Sequence, residues 1–232
     1  MLTLGLVGKN ISHSKSKMVY EKLLAHKIDY HLFYYQVAVE IPTLPELFKI
    51  VSGLSITSPY KRHFLPQVSA ILDVPIPITD SINCIKCEKG KFFGTNTDYL
   101  AIRQIVPTLL KKYSPSKIVI LGSGAMAHIV KEILSTMPAI PFEVFSRKIS
   151  NNFYTYDYAQ HATNNFKILI INACSRDYIF ANPVNEHCIF WDLNYRHADH
   201  QKKLSKNVGF YIDGTEMLEL QGSYALKFWQ MC

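Results

Sequence analysis

The chain has 232 residues, of which 48% are hydrophobic and 19% are charged, and its formal net charge is +7. This composition is ordinary for a soluble globular protein, and no stretch has the length of a membrane span or the pattern of a signal peptide. We therefore expect a cytoplasmic protein with no membrane partner. The basic residues are spread along the chain rather than clustered, so we expect no nucleic-acid partner either.

The five cysteines predict neither a disulfide framework nor a metal site. Their number is odd and their spacing is wide, whereas disulfide scaffolds carry dense, even sets. Cys84 and Cys87 form a CxxC pair, but they lie in a predicted strand, where an offset of three turns two side chains to opposite faces. We expect reduced thiols.

In the first half of the chain, short apolar runs alternate with longer amphipathic ones. Alternating and β-branched patterns predict strands, and apolar residues at helical spacing predict helices. Two of the strands flank Lys89-Gly90 in the pattern of a hairpin. The predicted strands are 2–8, 30–37, 54–57, 82–87 and 91–94, and the predicted helices are 16–27, 42–50 and 98–112.

A second set of elements follows a predicted linker at 114–116. The predicted strands are 117–121, 141–146, 167–171, 188–193 and 208–212, and the predicted helices are 126–137 and 215–229. Strands that alternate with helices favour a mostly parallel sheet with helices on both faces. Because the alternation restarts after the linker, we predict two α/β domains.

The segment from Gly122 to Ala127 fits the pattern G-x-G-x-x-G/A, with alanine in the third place. It follows a predicted strand and begins a predicted helix. Gly122 would allow a tight turn, Gly124 would let the backbone approach a pyrophosphate, and Ala127 would let helix and strand pack closely. The N–H groups at the helix start would bind the phosphates, although a glycine-rich turn without a ligand has the same pattern.

The end of the next strand indicates which dinucleotide this site would bind. An NAD site usually has Asp or Glu there, bonded to the ribose 2′-hydroxyl. Here the strand ends with Ser146, Arg147 and Lys148. Two cations and no acid suit the 2′-phosphate of NADP(H), unless they are only solvated surface charges.

Two further sets of polar residues follow predicted strands in the first domain. If the stretch with Ser12, Ser14 and Ser16 is extended, three hydroxyls line one side and suit a ligand with hydroxyls or a carboxylate. Otherwise a serine only caps the next helix. Lys61 and Asp98 could meet over one cleft as a charged pair, or form a surface ion pair of little energetic value.

Taken together and in this order, these segments resemble the shikimate dehydrogenase family along the whole chain. The segments 8–16, 56–61, 81–83 and 94–98 are similar to the family's motifs G-x-P-[IV]-x-H-S-x-S-P, V-T-x-P-[YF]-K, A-[IV]-N-T and G-x-N-T-D. In the second half, the glycine loop with Arg147 is similar to the family's NADP segment. The segments 171–173, 192–195 and 214–221 resemble I-N-A-T, D-x-x-Y and G-x-x-M-L-x-x-Q.

The resemblance implies an α/β substrate-binding catalytic domain at 1–99 and a Rossmann-type NADP-binding domain at 100–213, with a C-terminal helix at 214–232 that packs back on the first domain. Lys61 and Asp98 would be the catalytic pair. The implied substrate-binding residues are Ser14, Ser16, Thr57, Asn83, Tyr195 and Gln221, together with Asp98. The implied cofactor-binding residues are Gly122, Ser123, Gly124, Ala125, Met126, Ser146, Arg147, Lys148, Leu193 and Gly214.

The implied reaction is the reversible, NADPH-dependent reduction of 3-dehydroshikimate to shikimate, in the chorismate pathway of aromatic amino acid biosynthesis. Lys61 would stabilise and protonate the carbonyl oxygen, and Asp98 would orient a substrate hydroxyl. Two alternatives stay open. One is a dehydrogenase for another ring acid, such as quinate, or with another cofactor preference; the other is a ligand-binding protein without turnover. We expect a monomer or a homodimer.

Three of the chain's departures from the family pattern bear on the candidate sites. Ser55 stands where the family usually has Asn, so a substrate contact would be lost or bridged by water. His197 and His200 stand in the segment where the family has x-P-x-x-T, and we expect two solvated histidines rather than a metal site. The segment between Arg147 and Asn172 is short, which indicates a trimmed cofactor domain.

Overall fold

The computed structural model describes residues 2–75, 78, 80–137, 140–195 and 197–231. The chain divides into two compact units: unit 1 comprises Met1–Ala101 and Leu218–Cys232, and unit 2 comprises Ile102–Met217. Each unit has a β-sheet of its own, so the predicted α/β class is confirmed. The division of the chain into domains with boundaries after residues 99 and 213, and the roles of the two domains, stay predictions.

Unit 1 is built on a mixed sheet. Its strands are β1 (Thr3–Gly8), β2 (Asp29–Tyr34), β3 (Gly53–Ile56), β4 (Ala70–Ile71), β5 (Cys84–Glu88) and β6 (Lys91–Thr95). They pair in the order β2-β1-β3-β5-β6-β4. β1 is parallel to β2 and β3, whereas β5 is antiparallel to both β3 and β6. β6 therefore runs in the same direction as β1 and β3.

Unit 2 is built on a parallel sheet. Its strands are β7 (Lys117–Leu121), β8 (Phe142–Phe145), β9 (Ile168–Asn172), β10 (Cys188–Asp192) and β11 (Phe210–Ile212). They pair in the order β11-β10-β9-β7-β8, and every pair is parallel. A strand covered on both faces has a continuous apolar sequence, as β7, β9 and β10 do. The strand order reverses between β7 and β9, as in dinucleotide-binding folds.

The helices lie mostly where the sequence predicts them. They are α1 (Ser16–Leu24), α2 (Leu44–Leu47), α3 (Thr97–Tyr113), α4 (Ala125–Ser135), α5 (Tyr158–His161), α6 (Ala198–Leu204) and α7 (Thr215–Phe228). α1 ends earlier than predicted because Ala25 adopts a left-handed conformation with φ of 56°. The sequence analysis missed α5, α6 and β4, which have four, seven and two residues and show little periodicity.

The two faces of the unit 1 sheet pack against different helices. Leu54 in β3 lies in a buried cluster with Leu44 and Leu47 of α2. On the opposite face, Leu4 of β1 clusters with Tyr20 of α1 and Trp229. This alternation along the strands places one apolar face against α2 and the other against α1 and α7.

Trp229 fastens the C-terminal segment to the unit 1 sheet. Its Nε1–H group donates a hydrogen bond of 2.8 Å to the carbonyl oxygen of Ile85. Its ring lies over Gly53, where a Cβ atom would be only 2.7 Å from a ring carbon. The ring also packs edge-on against Tyr20, with 5.5 Å between centroids. Residues 218–231 therefore complete unit 1, although they come last in the chain.

The described cysteines are free thiols, with Cys84 buried and Cys87 exposed on opposite faces of β5. Burial raises the pKa of Cys84 well above its ordinary value, so this thiol stays protonated at neutral pH.

In the part of the chain that the structure describes, none of the helices combines the length and apolar composition needed to cross a bilayer.

The close contact at Gly53 leads to a stability prediction. Gly53→Ala would insert a methyl group against the Trp229 ring and Leu4, and overpacking of this kind costs about 1–3 kcal/mol of unfolding free energy. Differential scanning calorimetry should show a lowered melting temperature. Gly124→Ala is the matched control, since its added methyl group meets no atom within 4 Å. Equal melting temperatures for the two variants would contradict this account of the contact.

Candidate active site

The carboxyl ends of three strands in unit 1 meet at one edge of its sheet. Because β1, β3 and β6 run in the same direction, the residues that follow Gly8, Ile56 and Thr95 come close together. β5 is antiparallel to them, so Asn83, which directly precedes it, lies at the same edge. Polar side chains from four parts of the sequence are thereby collected at one place.

Lys61 and Asp98 form a direct ion pair at this edge. The Lys61 Nζ donates to Asp98 Oδ2 at 2.6 Å, and the two side chains are only 11% and 12% exposed. Asp98 lies in the first turn of α3, where the positive end of the helix dipole attracts a carboxylate. A pair this buried is not the solvated surface ion pair of the alternative interpretation. It places a proton donor beside a carboxylate.

Side-chain hydrogen bonds fix the segment that carries Asp98. The Asn83 Oδ1 accepts from the backbone N–H of Thr97 at 2.7 Å, and the Asn83 Nδ2 donates to the Thr97 hydroxyl at 3.0 Å. Asn96 donates to the carbonyl oxygen of Ser81 at 2.7 Å and accepts from the N–H of Tyr99 at 3.1 Å. Asn96 and Thr97 are positioning residues that the sequence analysis did not single out, although both lie in the G-x-N-T-D motif.

The serine segment before α1 is a turn, so the extended arrangement considered from the sequence is wrong. The backbone N–H of Ser14 donates to the carbonyl oxygen of Ile11 at 3.0 Å. The Ser14 hydroxyl accepts from the backbone N–H of Ser16 at 3.3 Å and lies 3.1 Å from the Ser16 hydroxyl. Ser12 is exposed, whereas Ser14 and Ser16 are half-buried. Two hydroxyls, not a row of three, are held together at the start of α1.

Thr57 and Gln221 lie close to the same strand ends. The Thr57 side chain packs against Gly8, where a Cβ atom would be 2.6 Å from the threonine methyl group. The Gln221 Oε1, carried by α7, accepts from the hydroxyl of Thr97 at 3.3 Å. α7 thus brings Gln221 beside the loop that precedes Asp98.

Ser55, which stands in place of the family's Asn, has a partner within the protein. Its hydroxyl lies 2.9 Å from the phenolic oxygen of Tyr20, and both side chains are buried. Burial raises the pKa of Tyr20 well above its ordinary value, so this phenol stays protonated and can hydrogen-bond to the serine. The Ser55 hydroxyl is therefore directed to α1.

In unit 2, the glycine loop lies where the strand order reverses. Gly122 has a φ of 115°, and a Cβ atom there would be 3.0 Å from the carbonyl oxygen of Ala173, so glycine is required on both grounds. Around Gly124 there is open space, and no side chain caps the N-terminus of α4. Ala127 is buried where helix and sheet pack. The remaining predicted residues of this loop are Ser123, Ala125 and Met126.

Ser146, Arg147 and Lys148 directly follow β8, on the other side of β7 from β9. Ser146 is buried and accepts at its hydroxyl from the N–H of Lys148 at 3.3 Å, while the two cations are exposed. Burial raises the pKa of Cys174 to about 12, and the nearby Arg147 acts in the opposite direction. The guanidinium therefore lies near the loop that follows β9.

Leu193 and Gly214 lie side by side after β10 and β11. A Cβ atom on Gly214 would overlap the carbonyl oxygen of Leu193, and the Leu193 N–H donates to the carbonyl oxygen of Asn172 at 3.0 Å. Tyr195 follows in the same loop and contacts Arg176 twice. An Arg176 Nη1–H group donates to the Tyr195 carbonyl oxygen at 2.9 Å, and the guanidinium lies 5.4 Å from the ring centroid.

His197 and His200 are buried, so the expectation of two solvated histidines is wrong. They are 6% and 1% exposed, and their rings stack with 4.0 Å between centroids. The error comes from missing α6, which His197 caps by accepting from the N–H of His200. Across the described ranges, no group of three or more His, Cys, Asp or Glu side chains is arranged to hold a metal ion.

Comparison with known proteins shows what this chain is similar to. No protein-family model matches it. A curated protein of Clostridium beijerinckii named Shikimate dehydrogenase (NADP(+)) is 27% identical over an alignment of 248 residues, which covers 98% of this chain and 92% of that protein. A protein of the same name from Clostridium botulinum strain 657 is 24% identical over 258 residues, with 99% and 96% covered.

Comparison with solved structures shows that the fold, too, is similar to that of shikimate dehydrogenases. The crystal structure of shikimate dehydrogenase from Aquifex aeolicus superposes with a TM-score of 0.74 at 22% identity, covering 100% of this chain and 93% of that one. The Thermus thermophilus enzyme in complex with NADP(H) and shikimate gives 0.70 at 19% identity, with 100% and 94% covered. The chain is thus similar along its whole length to proteins named shikimate dehydrogenase, and it shares the fold of the solved ones.

Proposed function

We propose that this protein is an NADP-dependent shikimate dehydrogenase, which reversibly reduces 3-dehydroshikimate to shikimate. The observation that carries the proposal is the buried Lys61–Asp98 pair, joined at 2.6 Å where strand ends of unit 1 meet. The curated relatives named for this activity support it, because they align with 98–99% of the chain.

The pair has the chemistry that a ketone reduction requires. Reduction to a secondary alcohol adds a hydride to the carbonyl carbon and a proton to its oxygen. NADPH, when bound, supplies the hydride. We assign the proton to the Lys61 ammonium, which also stabilises the negative charge that develops on the oxygen. The Asp98 carboxylate holds that ammonium in place and can accept a hydrogen bond from a substrate hydroxyl. In the oxidation direction, the uncharged Lys61 amine accepts the proton.

The remaining polar groups of unit 1 fit a small ring acid with several hydroxyls. We assign the substrate's hydroxyls and carboxylate to the side chains of Ser14, Ser16, Thr57, Asn83 and Gln221, which carry hydroxyl or amide groups, together with the hydroxyl of Tyr195 in unit 2. Among these, Asn83 also orients the Asp98 segment through its two bonds to Thr97. Its replacement would therefore disturb the catalytic pair as well as substrate binding.

The residues of unit 2 fit NADP(H). Open space in front of an uncapped helix N-terminus at Gly124 suits a pyrophosphate. Exposed Arg147 and Lys148 after β8 suit the 2′-phosphate at the adenosine half. Leu193 and Gly214 follow β10 and β11, on the opposite side of β7 from β8. We therefore assign them to the nicotinamide half.

Ser55 provides a specific reason to consider quinate as the substrate. Its hydroxyl is directed to Tyr20, so this chain offers a different group where the family usually has an asparagine amide. Turnover of quinate at a kcat/KM equal to or above that of shikimate would support this second candidate. The absence of turnover with either acid would support a ligand-binding protein instead.

Lys61→Ala tests the proposed proton donor. With shikimate and NADP⁺, the unmodified protein should produce reduced nicotinamide, and Lys61→Ala should lower kcat by about 10²–10⁴-fold, the usual contribution of a general acid–base group. Lys86→Ala is the matched control, because Lys86 is also a little-exposed lysine in an ion pair of unit 1. Turnover of folded Lys61→Ala at the control's rate would refute the role of Lys61.

Arg147→Ala tests the proposed preference for NADP⁺ over NAD⁺. Loss of a charged hydrogen-bond donor to the 2′-phosphate should raise the KM for NADP⁺ by about 10–100-fold, and the KM for NAD⁺ should change little. The control is Arg103→Ala, which removes an exposed arginine of the same unit. A proportional increase in both KM values would show that Arg147 does not bind the 2′-phosphate.

Gly124→Ala tests where the pyrophosphate binds. The added methyl group meets no protein atom within 4 Å, so the melting temperature should stay unchanged. The same methyl group would occupy the space assigned to the pyrophosphate, so the dissociation constant of NADPH, measured by fluorescence titration, should rise at least about tenfold. Unchanged NADPH affinity would place the phosphates elsewhere.

A further inference from the structure

Asp192, at the end of β10, is a buried carboxylate surrounded by hydrogen-bond donors. It has no exposed surface. Its Oδ1 accepts from the Asn172 side chain at 3.0 Å and from the backbone and side chain of Asn194 at 3.0 and 3.1 Å. Its Oδ2 accepts from His200 Nδ1 at 2.6 Å and from the Tyr211 hydroxyl at 3.3 Å. A buried carboxylate requires such partners, because removing one leaves charge without solvation.

His200 is held in one tautomer by its two contacts. Its Nε2 accepts from the backbone N–H of Phe180 at 2.8 Å, so this nitrogen carries no proton. The ring proton is therefore on Nδ1, from which it is donated to Asp192. The short, fully buried contact makes His200 the main donor to Asp192 Oδ2, because the hydroxyl of Tyr211 is more distant.

The partners of Asp192 connect it to the loop of residues 193–195. Asn194, in the middle of this loop, is bound to Asp192 through both its backbone and its side chain. Leu193 is bound to the carbonyl oxygen of Asn172 and lies against Gly214. Movement of the Asp192 carboxylate would therefore displace the residues that we assign to the nicotinamide half of NADP(H).

A second connection reaches the same loop from its other end. The His197 ring stacks on His200, and its Nε2 is bonded to the carbonyl oxygen of Arg176 at 2.9 Å. Arg176 in turn donates to the carbonyl oxygen of Tyr195 at 2.9 Å. The two histidines thus hold the 193–195 loop through Asp192 at one end and through Arg176 at the other.

We propose that His200 is a positioning residue for cofactor binding: its bond to Asp192 fixes the 193–195 loop in the conformation that receives the nicotinamide half of NADP(H). This inference rests on the proposed function for the identity of the cofactor. The loop follows β10, whereas Arg147 follows β8 at the far side of β7. We therefore expect His200 to affect the binding of the nicotinamide half of the dinucleotide and not that of the adenosine half.

Two probe ligands separate this role from a general structural one. NADPH occupies both halves of the site, whereas adenosine 2′,5′-bisphosphate has only the adenosine half. For His200→Ala, we expect the dissociation constant of NADPH, measured by fluorescence titration, to rise about tenfold or more. The dissociation constant of adenosine 2′,5′-bisphosphate, measured by calorimetry, should change less than about twofold. Equal weakening of both ligands, or an unchanged NADPH affinity, would overturn the proposal.

Two conservative variants identify the bond that matters. The amide nitrogen of asparagine is separated from Cβ by the same number of bonds as the Nδ1 of histidine. The amide nitrogen of glutamine is separated from Cβ by the same number of bonds as the Nε2 of histidine. His200→Asn can keep the donor to Asp192 and should restore NADPH affinity, whereas His200→Gln should not. The comparison of these two variants also tests the proposal if His200→Ala does not fold. The reverse order of the two affinities would overturn the proposal.

His187→Ala is the matched control, because His187 directly precedes β10, at its other end, and pairs with Glu186. Its NADPH affinity should equal that of the unmodified protein, and a loss as large as that of His200→Ala would overturn the proposal. An unmodified protein that binds NADPH but does not oxidise shikimate would refute only the proposed function. An unmodified protein that binds no NADPH would refute both.

Discussion

The ion pair between Lys61 and Asp98 is the interaction on which the interpretation of unit 1 depends. Two opposite charges at 2.6 Å with little exposed surface are tolerated only if the surrounding groups hold both in place. Here the sheet supplies the arrangement, since β3 and β6 run in the same direction and end at one edge. The antiparallel β5 between them brings Asn83 to the same edge, where it fixes the first turn of α3.

In unit 2, a single buried carboxyl group is likewise held in place by the groups around it. Asp192 lies at the end of β10 and accepts hydrogen bonds from β9, β11, α6 and its own loop. These hydrogen bonds join the four segments to one carboxyl group. The glycine loop is held differently: Gly122 has no side chain, so its backbone lies directly against the backbone of Ala173. The loop after β7 is thus joined to its neighbours by backbone contacts, whereas the loop after β10 is joined through the side chain of Asp192.

The strands and long helices could be predicted because their signals are local. The apolar runs of β7, β9 and β10 have the composition of strands buried on both faces, and α3 and α7 have clear helical spacing. The glycine loop was predictable for the same reason, since its pattern lies within a few consecutive residues. Short elements were missed: α6 has seven residues and begins with a histidine cap, which is not among the usual capping residues.

The sequence by itself determined the order of most elements, the α/β class and the residue types at the candidate site, because motifs and periodicity are properties of neighbouring residues. Only the tertiary structure decided how these residues are used. It bonds Thr97 to Gln221, 124 positions away, turns Ser14 toward Ser16, and buries His200 against Asp192. Burial and hydrogen bonding depend on which distant segments pack together, and a single sequence does not record those contacts.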